Sequence, residues 1–154
     1  MDDDESVRIT TKTILENEGY EVDLAATGSE AIQKTEKRAY NLALLDIRLP
    51  DMEGVRLLKL MKDAVPRTRK IMVTGYPSMQ NAITALNEDA DAYLIKPVDL
   101  DKLLTTVKEQ LKQQENEKKF SEQKVAEFIE TRVRELPTTH AWALKPSSSH
   151  FSSE

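Results

Sequence analysis

The stretch "NLALLDIRLPDMEG", residues 41–54, decides how the chain is read. Its first half is a continuous apolar run of strand length that ends abruptly in a carboxylate, Asp46. A run that is apolar throughout, with no polar alternation, predicts a strand covered on both faces. "LPDMEG" then makes a turn. "VRLLKLMKDAV" follows as a helix carrying Val55, Leu58 and Met61.

The same unit recurs on either side. "EVDLAAT" near 21–25, "KIMVTGYP" near 70–74 and "DAYLIKP" near 92–95 read as three more short strands, the last stopped by Pro97. Helices separate them. "SVRITTKTILENEGY" places Val7, Ile9, Ile14 and Leu15 on one side over about 5–18, and Gly19 is its stop. "GSEAIQKTEKRAY" is expected to be capped by Ser29. "SMQNAITALNEDA" is helical, and "VDLDKLLTTVKEQLK" opens a long helix through Leu100, Leu103, Leu104, Val107 and Leu111. Doubly covered strands alternating with helices predict an α/β fold, a doubly wound parallel sheet. One element breaks the rhythm: the first helix has no strand before it.

After Leu111 the pattern changes. "KQQENEKK" is wholly polar without Gly or Pro, so it can stay helical while burying nothing. "FSEQKVAEFIETRVREL" regains an apolar face through Val125, Phe128 or Ile129, Val133 and Leu136, although Gln114, Lys118 and Ser121 interrupt a heptad seam. The expected organisation is a compact domain over 1–112, a helical or coiled-coil extension over 113–136, and a disordered Ser-, Thr- and Pro-rich tail over 137–154.

Composition narrows the function classes. The chain has 154 residues, a formal net charge of -5 and no cysteine. The charge argues against direct nucleic-acid binding or an anionic-membrane surface as the main contact. Absence of cysteine excludes a disulfide framework and thiolate metal sites. No apolar run reaches membrane-spanning length, so membrane insertion is not expected and a cytoplasmic location is.

Ligands of an open parallel sheet bind beyond the carboxyl ends of its strands. There this sequence delivers Asp46, Thr74 and Lys96, and the acidic run Asp2-Asp3-Asp4 stands where a strand preceding the first helix would end. Each has an ordinary explanation: a turn residue, a β-former, a solubilising lysine, acids facing a helix dipole. Their joint order points instead to a phosphoacceptor site. A carboxylate can take a phosphoryl group as an acyl phosphate. A divalent ion offsets charge during transfer, and Mg²⁺ needs only a few carboxylates because it keeps waters. A hydroxyl and a lysine hold the phosphoryl oxygens. Both histidines, His140 and His150, lie in the polar tail.

On "DDDES", "LALLDIRLPDMEG", "IMVTGYPS" and "DAYLIKP", the chain resembles the receiver domain of two-component response regulators, of the chemotaxis (CheY-like) type, over about residues 2–112. The resemblance implies a flavodoxin-like fold of sheet order 2-1-3-4-5. It implies Asp46 as phosphoacceptor, with Asp2, Asp3, Asp46 and the backbone carbonyl of Arg48 as Mg²⁺ ligands. It implies Thr74 as the switch hydroxyl, Lys96 as the partner of the phosphoryl group, Tyr93 as the aromatic switch residue, and a cis Lys96–Pro97 peptide. Pro50 and Gly54 match the turn after the acceptor. Phosphorylation would draw Thr74 in, let Tyr93 rotate inward and alter a surface near Ile83, Leu86, Tyr93 and Leu104. Arg48 and Tyr76 border the path of hydrolytic water in such domains, and bulky Tyr76 is expected to slow phosphoryl loss.

The resemblance also implies a first strand, central in the sheet, where this chain has only Met1. Such a strand buries about five apolar residues, or about 8–15 kcal/mol, against a whole-domain stability of about 5–15 kcal/mol. Three accounts are open: a misplaced start, where a valine initiator is written Met; a truncation; or a strand supplied by a partner. The expected function is a phosphoacceptor, not an enzyme, that takes its phosphoryl group from a histidine kinase or phosphotransfer protein and switches a partner surface or homodimer. The alternative is an inactive receiver remnant acting through its C-terminal helix. An aspartyl-phosphate phosphatase is disfavoured, because Arg48 stands where a second aspartate would serve as general acid.

Overall fold

The computed structural model describes residues 1–61, 64–75, 78–87 and 90–136, with the side chains of 80, 81 and 86 left aside. The element order is α1 (Glu5–Asn17), α2 (Gly28–Lys37), β1 (Leu42–Leu45), α3 (Gly54–Leu60), β2 (Arg69–Thr74), α4 (Met79–Asn87), β3 (Ala92–Ile95) and α5 (Leu100–Glu135). The three strands form a parallel sheet in the order β1-β2-β3. This is the open, doubly wound sheet that the apolar runs predict.

Both faces of the sheet are covered. Ala43, Leu45 and Met72 point to one face, where Ala31 of α2, Leu57 and Leu58 of α3 and Ala85 of α4 pack. Ile71 and Leu94 point to the other, against Leu15 of α1 and Leu103 and Val107 of α5. Successive strand residues thus enter opposite cores.

Two local expectations in the first elements are corrected. Residues 21–25 are not a strand. Their sheet neighbour would be a strand lying between them and β1, and without that ladder the segment has nothing to pair with along its length. Among the described residues, Met1 and Asp2 occupy the gap: Met1 N donates to Leu44 O at 2.8 Å, Asp46 N to Met1 O at 3.1 Å, and Asp2 N to Ala25 O at 3.4 Å. The cap of α2 is Thr27, not Ser29; its hydroxyl accepts from Glu30 N at 3.1 Å. Ser29 instead donates to Asp51. Gly19, by contrast, ends α1 as expected, with φ of +91°, a conformation few other residues adopt.

The polar stretch after Leu111 does bury a side chain, as does the residue just before Leu111. Gln110 and Gln114 are 7% and 5% exposed. Arg69, at the start of β2 and 5% exposed, donates to Gln110 Oε1 (3.0 Å), Gln113 Oε1 (2.6 Å) and Glu117 Oε1 (3.0 Å). Gln114 donates to the carbonyls of Asn41 and Arg67. Hydropathy alone misses this because the burial is polar and fully hydrogen-bonded.

One compact unit covers Met1–Lys118 and a second covers Lys119–Glu154. In the second, the described residues are helical to Glu135, and Phe120, Val125, Phe128, Ile129, Val133 and Leu136 are all more than half exposed. No described helix is long and apolar enough to cross a membrane. The expected tail over 137–154 lies outside the described residues, as do Tyr76 and the side chain of Leu86.

Candidate functional site

The site forms where β1, β2 and β3 end and α1 begins. The leading acids, adjacent in sequence, take three different roles. Asp4 caps α1, its Oδ1 accepting from Ser6 N at 2.9 Å and Val7 N at 3.4 Å. Asp3 is exposed. Asp2 is 7% exposed and turns inward, with Oδ1 accepting from Asp4 N at 2.9 Å. Asp46, 5% exposed, follows the last residue of β1. One carboxylate oxygen from each of Asp2, Asp3 and Asp46 lies within 4.8 Å of the others.

Lys96 closes the group from the end of β3. Its Nζ donates to Asp46 Oδ2 at 2.8 Å and also to Asp2 Oδ2. Its backbone N–H donates to Thr74 O at 2.8 Å, which fixes where the lysine leaves the sheet. Burial pushes the Asp2 carboxyl up, but the hydrogen bonds from Lys96 and the Asp4 N–H outweigh it and hold the group below the usual carboxylate range. Burial likewise lowers Lys96, and its bonds to Asp2 and Asp46 more than offset that, so the ammonium form is favoured. The Met1 amino group sits just behind, and burial brings its pKa down to about 6.

Asp2, Asp3, Asp46, Arg48 and Lys96 line one recess of about 520 Å³. Arg48 N also donates to Asp46 Oδ1 at 3.3 Å. Thr74 is fully buried at the end of β2 and does not line that recess. Tyr93 lies on β3 with its ring against the core of Met72 and Ala85, and its buried hydroxyl has no hydrogen-bond partner among the described residues. Burial raises its pKa. Of the surface residues expected to respond, Ile83 is 45% exposed, whereas Leu104 packs inward against the α5 side of the core. The Lys96–Pro97 peptide is cis, as the resemblance implies.

The loop after Asp46 is held by two contacts, one from a glycine and one from a carboxylate. Gly54 N donates to Ile47 O at 2.6 Å, and a Cβ at Gly54 would stand 1.9 Å from the Asp46 carbonyl oxygen, so no side chain fits. Asp51 accepts from Gly28 N (2.8 Å), Ser29 N (2.9 Å) and the Ser29 hydroxyl (2.8 Å) at the start of α2. These donors bring its pKa down to about 2, the Ser29 hydroxyl contributing most. Sequence reading passed over Asp51 as turn chemistry, and its position after Pro50 gave no sign of a partner on another helix.

With this geometry in view, comparisons with known proteins are informative. The model of the family "Response regulator receiver domain" matches residues 1–108. A transcriptional regulatory protein ZraR of Klebsiella oxytoca is 39% identical over 111 residues, covering 72% of this chain and 25% of the relative. A transcriptional regulatory protein TrcR of Mycobacterium tuberculosis is 32% identical over 108 residues, covering 70% of this chain and 42% of the relative. This chain thus spans a quarter to under half the length of those two relatives. Among solved structures, a CheY-like receiver domain protein from Methanospirillum hungatei JF-1 is 52% identical with a TM-score of 0.72, covering 75% of this chain and 93% of that one. A beryllofluoride-activated NtrC4 receiver domain dimer is 33% identical with a TM-score of 0.69, covering 73% and 93%. On the family match, the doubly wound sheet and the likeness to CheY-like structures, the chain belongs to the response regulator receiver domain family of two-component systems.

Proposed function

We propose that Asp46 accepts a phosphoryl group from a phosphohistidine of a histidine kinase or phosphotransfer protein, with Mg²⁺ held by Asp2, Asp3, Asp46 and the Arg48 carbonyl. One observation carries the reading: Asp2, Asp3 and Asp46 converge within 4.8 Å at the strand ends, with Lys96 bonded to Asp46. Three clustered carboxylates, two of them buried, suit a hard cation that prefers oxygen ligands. When bound, Mg²⁺ supplies positive charge against the oxygens of the phosphoryl group in flight.

This chain's own residues do the remainder. The Asp46 oxygen not bonded to Lys96, Oδ1, attacks phosphorus in line as the P–N bond to imidazole breaks, and the leaving imidazole takes up a proton. Lys96, already 2.8 Å from Asp46 Oδ2, pairs with the new phosphoryl oxygens. Thr74, the last residue of β2, and Tyr93, which pairs on β3 with Met72 two residues before it, form the switch, and the altered face near Ile83 engages a partner protein or a second copy. The protein is a stoichiometric acceptor and not a turnover catalyst, and its output passes through that protein contact, not through nucleic acid.

The test is to treat the full chain with a small phosphodonor and Mg²⁺. One acyl phosphate per chain, mapped to Asp46 and absent in Asp46→Asn, is expected. No labelling would identify an inactive remnant, and multiple turnover on phosphomonoesters would identify a phosphatase. Either result overturns the reading.

A further inference from the structure

The turn that follows Asp46 is bonded within itself. Arg48 and Glu53 face each other across an antiparallel bridge, and Leu49 N donates to Met52 O at 3.1 Å. Pro50 and Asp51 form its tip. That tip is fastened to a distant part of the chain. The Asp51 carboxylate accepts from Gly28 N, 23 residues earlier, at 2.8 Å, and from Ser29 N at 2.9 Å and the Ser29 hydroxyl at 2.8 Å. Met52 packs so closely on Gly28 that no Cβ fits there. We propose that Asp51 is a positioning residue for phosphoryl acceptance: by tying the turn to the start of α2, it sets the place of the Arg48 carbonyl beside Asp46. The inference rests on the reading of Asp46 as phosphoacceptor and the Arg48 carbonyl as metal ligand.

The start of α2 has caps of its own. Thr27 Oγ1 accepts from Glu30 N at 3.1 Å, and Glu30 Oε2 accepts from Ala26 N at 2.9 Å, a reciprocal pair that starts a helix without outside help. Gly28 N and Ser29 N, the first two donors of the helix, are taken by a carboxylate from another element. The helix dipole strengthens that tie.

The chemistry of the site makes the tie matter. Mg²⁺ demands near-ideal octahedral geometry. A side-chain ligand can adjust by changing rotamer, but a backbone carbonyl moves only with its turn. Arg48 lines the same recess as Asp46, and its N–H donates to Asp46 Oδ1 at 3.3 Å. A displaced turn therefore disturbs one proposed metal ligand and the orientation of the acceptor together.

The test compares Asp51→Ala, Asp51→Asn and Arg69→Met with the wild-type full chain. Arg69 lies at the opposite end of β2 from Thr74, so its variant controls for lost stability alone. The readouts are Mg²⁺ affinity by calorimetry, the rate of Asp46 labelling by acetyl phosphate at saturating Mg²⁺, and hydrogen exchange of the Leu49 amide in chelator. In Asp51→Ala the Mg²⁺ dissociation constant rises and labelling slows, each about tenfold, the low end for a partner that supports a metal ligand. Leu49 exchange speeds up. Asp51→Asn keeps one accepting oxygen and recovers part of each loss. Arg69→Met stays within about twofold of wild type in all three, as a distant site should. A role confined to capping α2 would lower the unfolding midpoint in chelator yet leave Mg²⁺ affinity and labelling unchanged in Asp51→Ala, and that result overturns the inference. Equal losses in Arg69→Met overturn it too. Absence of labelling in the wild type overturns the phosphoacceptor reading and this inference with it, whereas a labelled wild type matched by Asp51→Ala overturns this inference alone.

Discussion

Replacing Lys96 with methionine separates two roles that the site geometry gives one side chain. Lys96 Nζ is bonded to both Asp2 and Asp46, and its side chain is 25% exposed while theirs are 9% and 6%. Each charge-assisted bond contributes about 1.5–3 kcal/mol, with the lower end appropriate to a partly wetted lysine. Removing both therefore costs about 3 kcal/mol and leaves two buried carboxylates facing each other. The unfolding midpoint should fall by about 10 °C in the presence of a chelator. Mg²⁺ competes with Lys96 for Asp2, and in Lys96→Met that competitor is gone. If half or more of the lost energy returns, Mg²⁺ binds about 10- to 100-fold more tightly than in the wild type. Thermal unfolding across a Mg²⁺ series measures both quantities in one experiment. Weaker or unchanged Mg²⁺ binding in Lys96→Met would show that the acids do not share a cation site with the lysine's position.

Other perturbations follow from the same contacts. Gly54→Ala places a Cβ 1.9 Å from the Asp46 carbonyl, so the loop must shift; phosphorylation of Asp46 should drop at least tenfold while far-ultraviolet circular dichroism is retained. Arg69→Met strips three bonds from α5, of which only the one to buried Gln110 leaves an acceptor dry, for a loss of about 2–3 kcal/mol in urea unfolding; adding Gln110→Leu should return part of it. The Asp51 carboxylate, with its pKa near 2, contributes stability that is fully present above the unfolded value of 3.8 and is lost progressively as pH falls from there through about 2. Asp51→Ala should accordingly lower the midpoint at pH 7, and the difference from wild type should shrink in that acid window.

Much of this molecule is legible from the chain because apolar periodicity marks its main elements. "LALL", "KIMVT" and "AYLI" enter both cores at alternate positions, so they read as doubly covered strands and become β1, β2 and β3. The carboxylate, hydroxyl and ammonium groups could be placed at one sheet edge because parallel topology puts every strand's carboxyl end on the same side. What escaped was long-range polar pairing. Nothing in "KQQENEKK" signals that Gln114 reaches two carbonyls 47 and 73 residues away, since glutamines in a helix usually face water. Nothing in "LPDM" signals that Asp51 takes the amides of α2, and that contact displaced the expected Ser29 cap. The segment 21–25 read as a strand from its own residues, yet a strand exists only when a neighbour completes its ladder.

The most direct test is a crystal structure of the full chain grown with Mn²⁺ in place of Mg²⁺ and with beryllofluoride as a phosphoryl mimic. Anomalous scattering should reveal one ion bound by Asp2, Asp3, Asp46 and the Arg48 carbonyl, with beryllofluoride on Asp46 and Lys96 against its fluorines. An ion bound away from these acids, or beryllofluoride absent from Asp46 at saturating concentration, would contradict the assignment of this site as a phosphoacceptor.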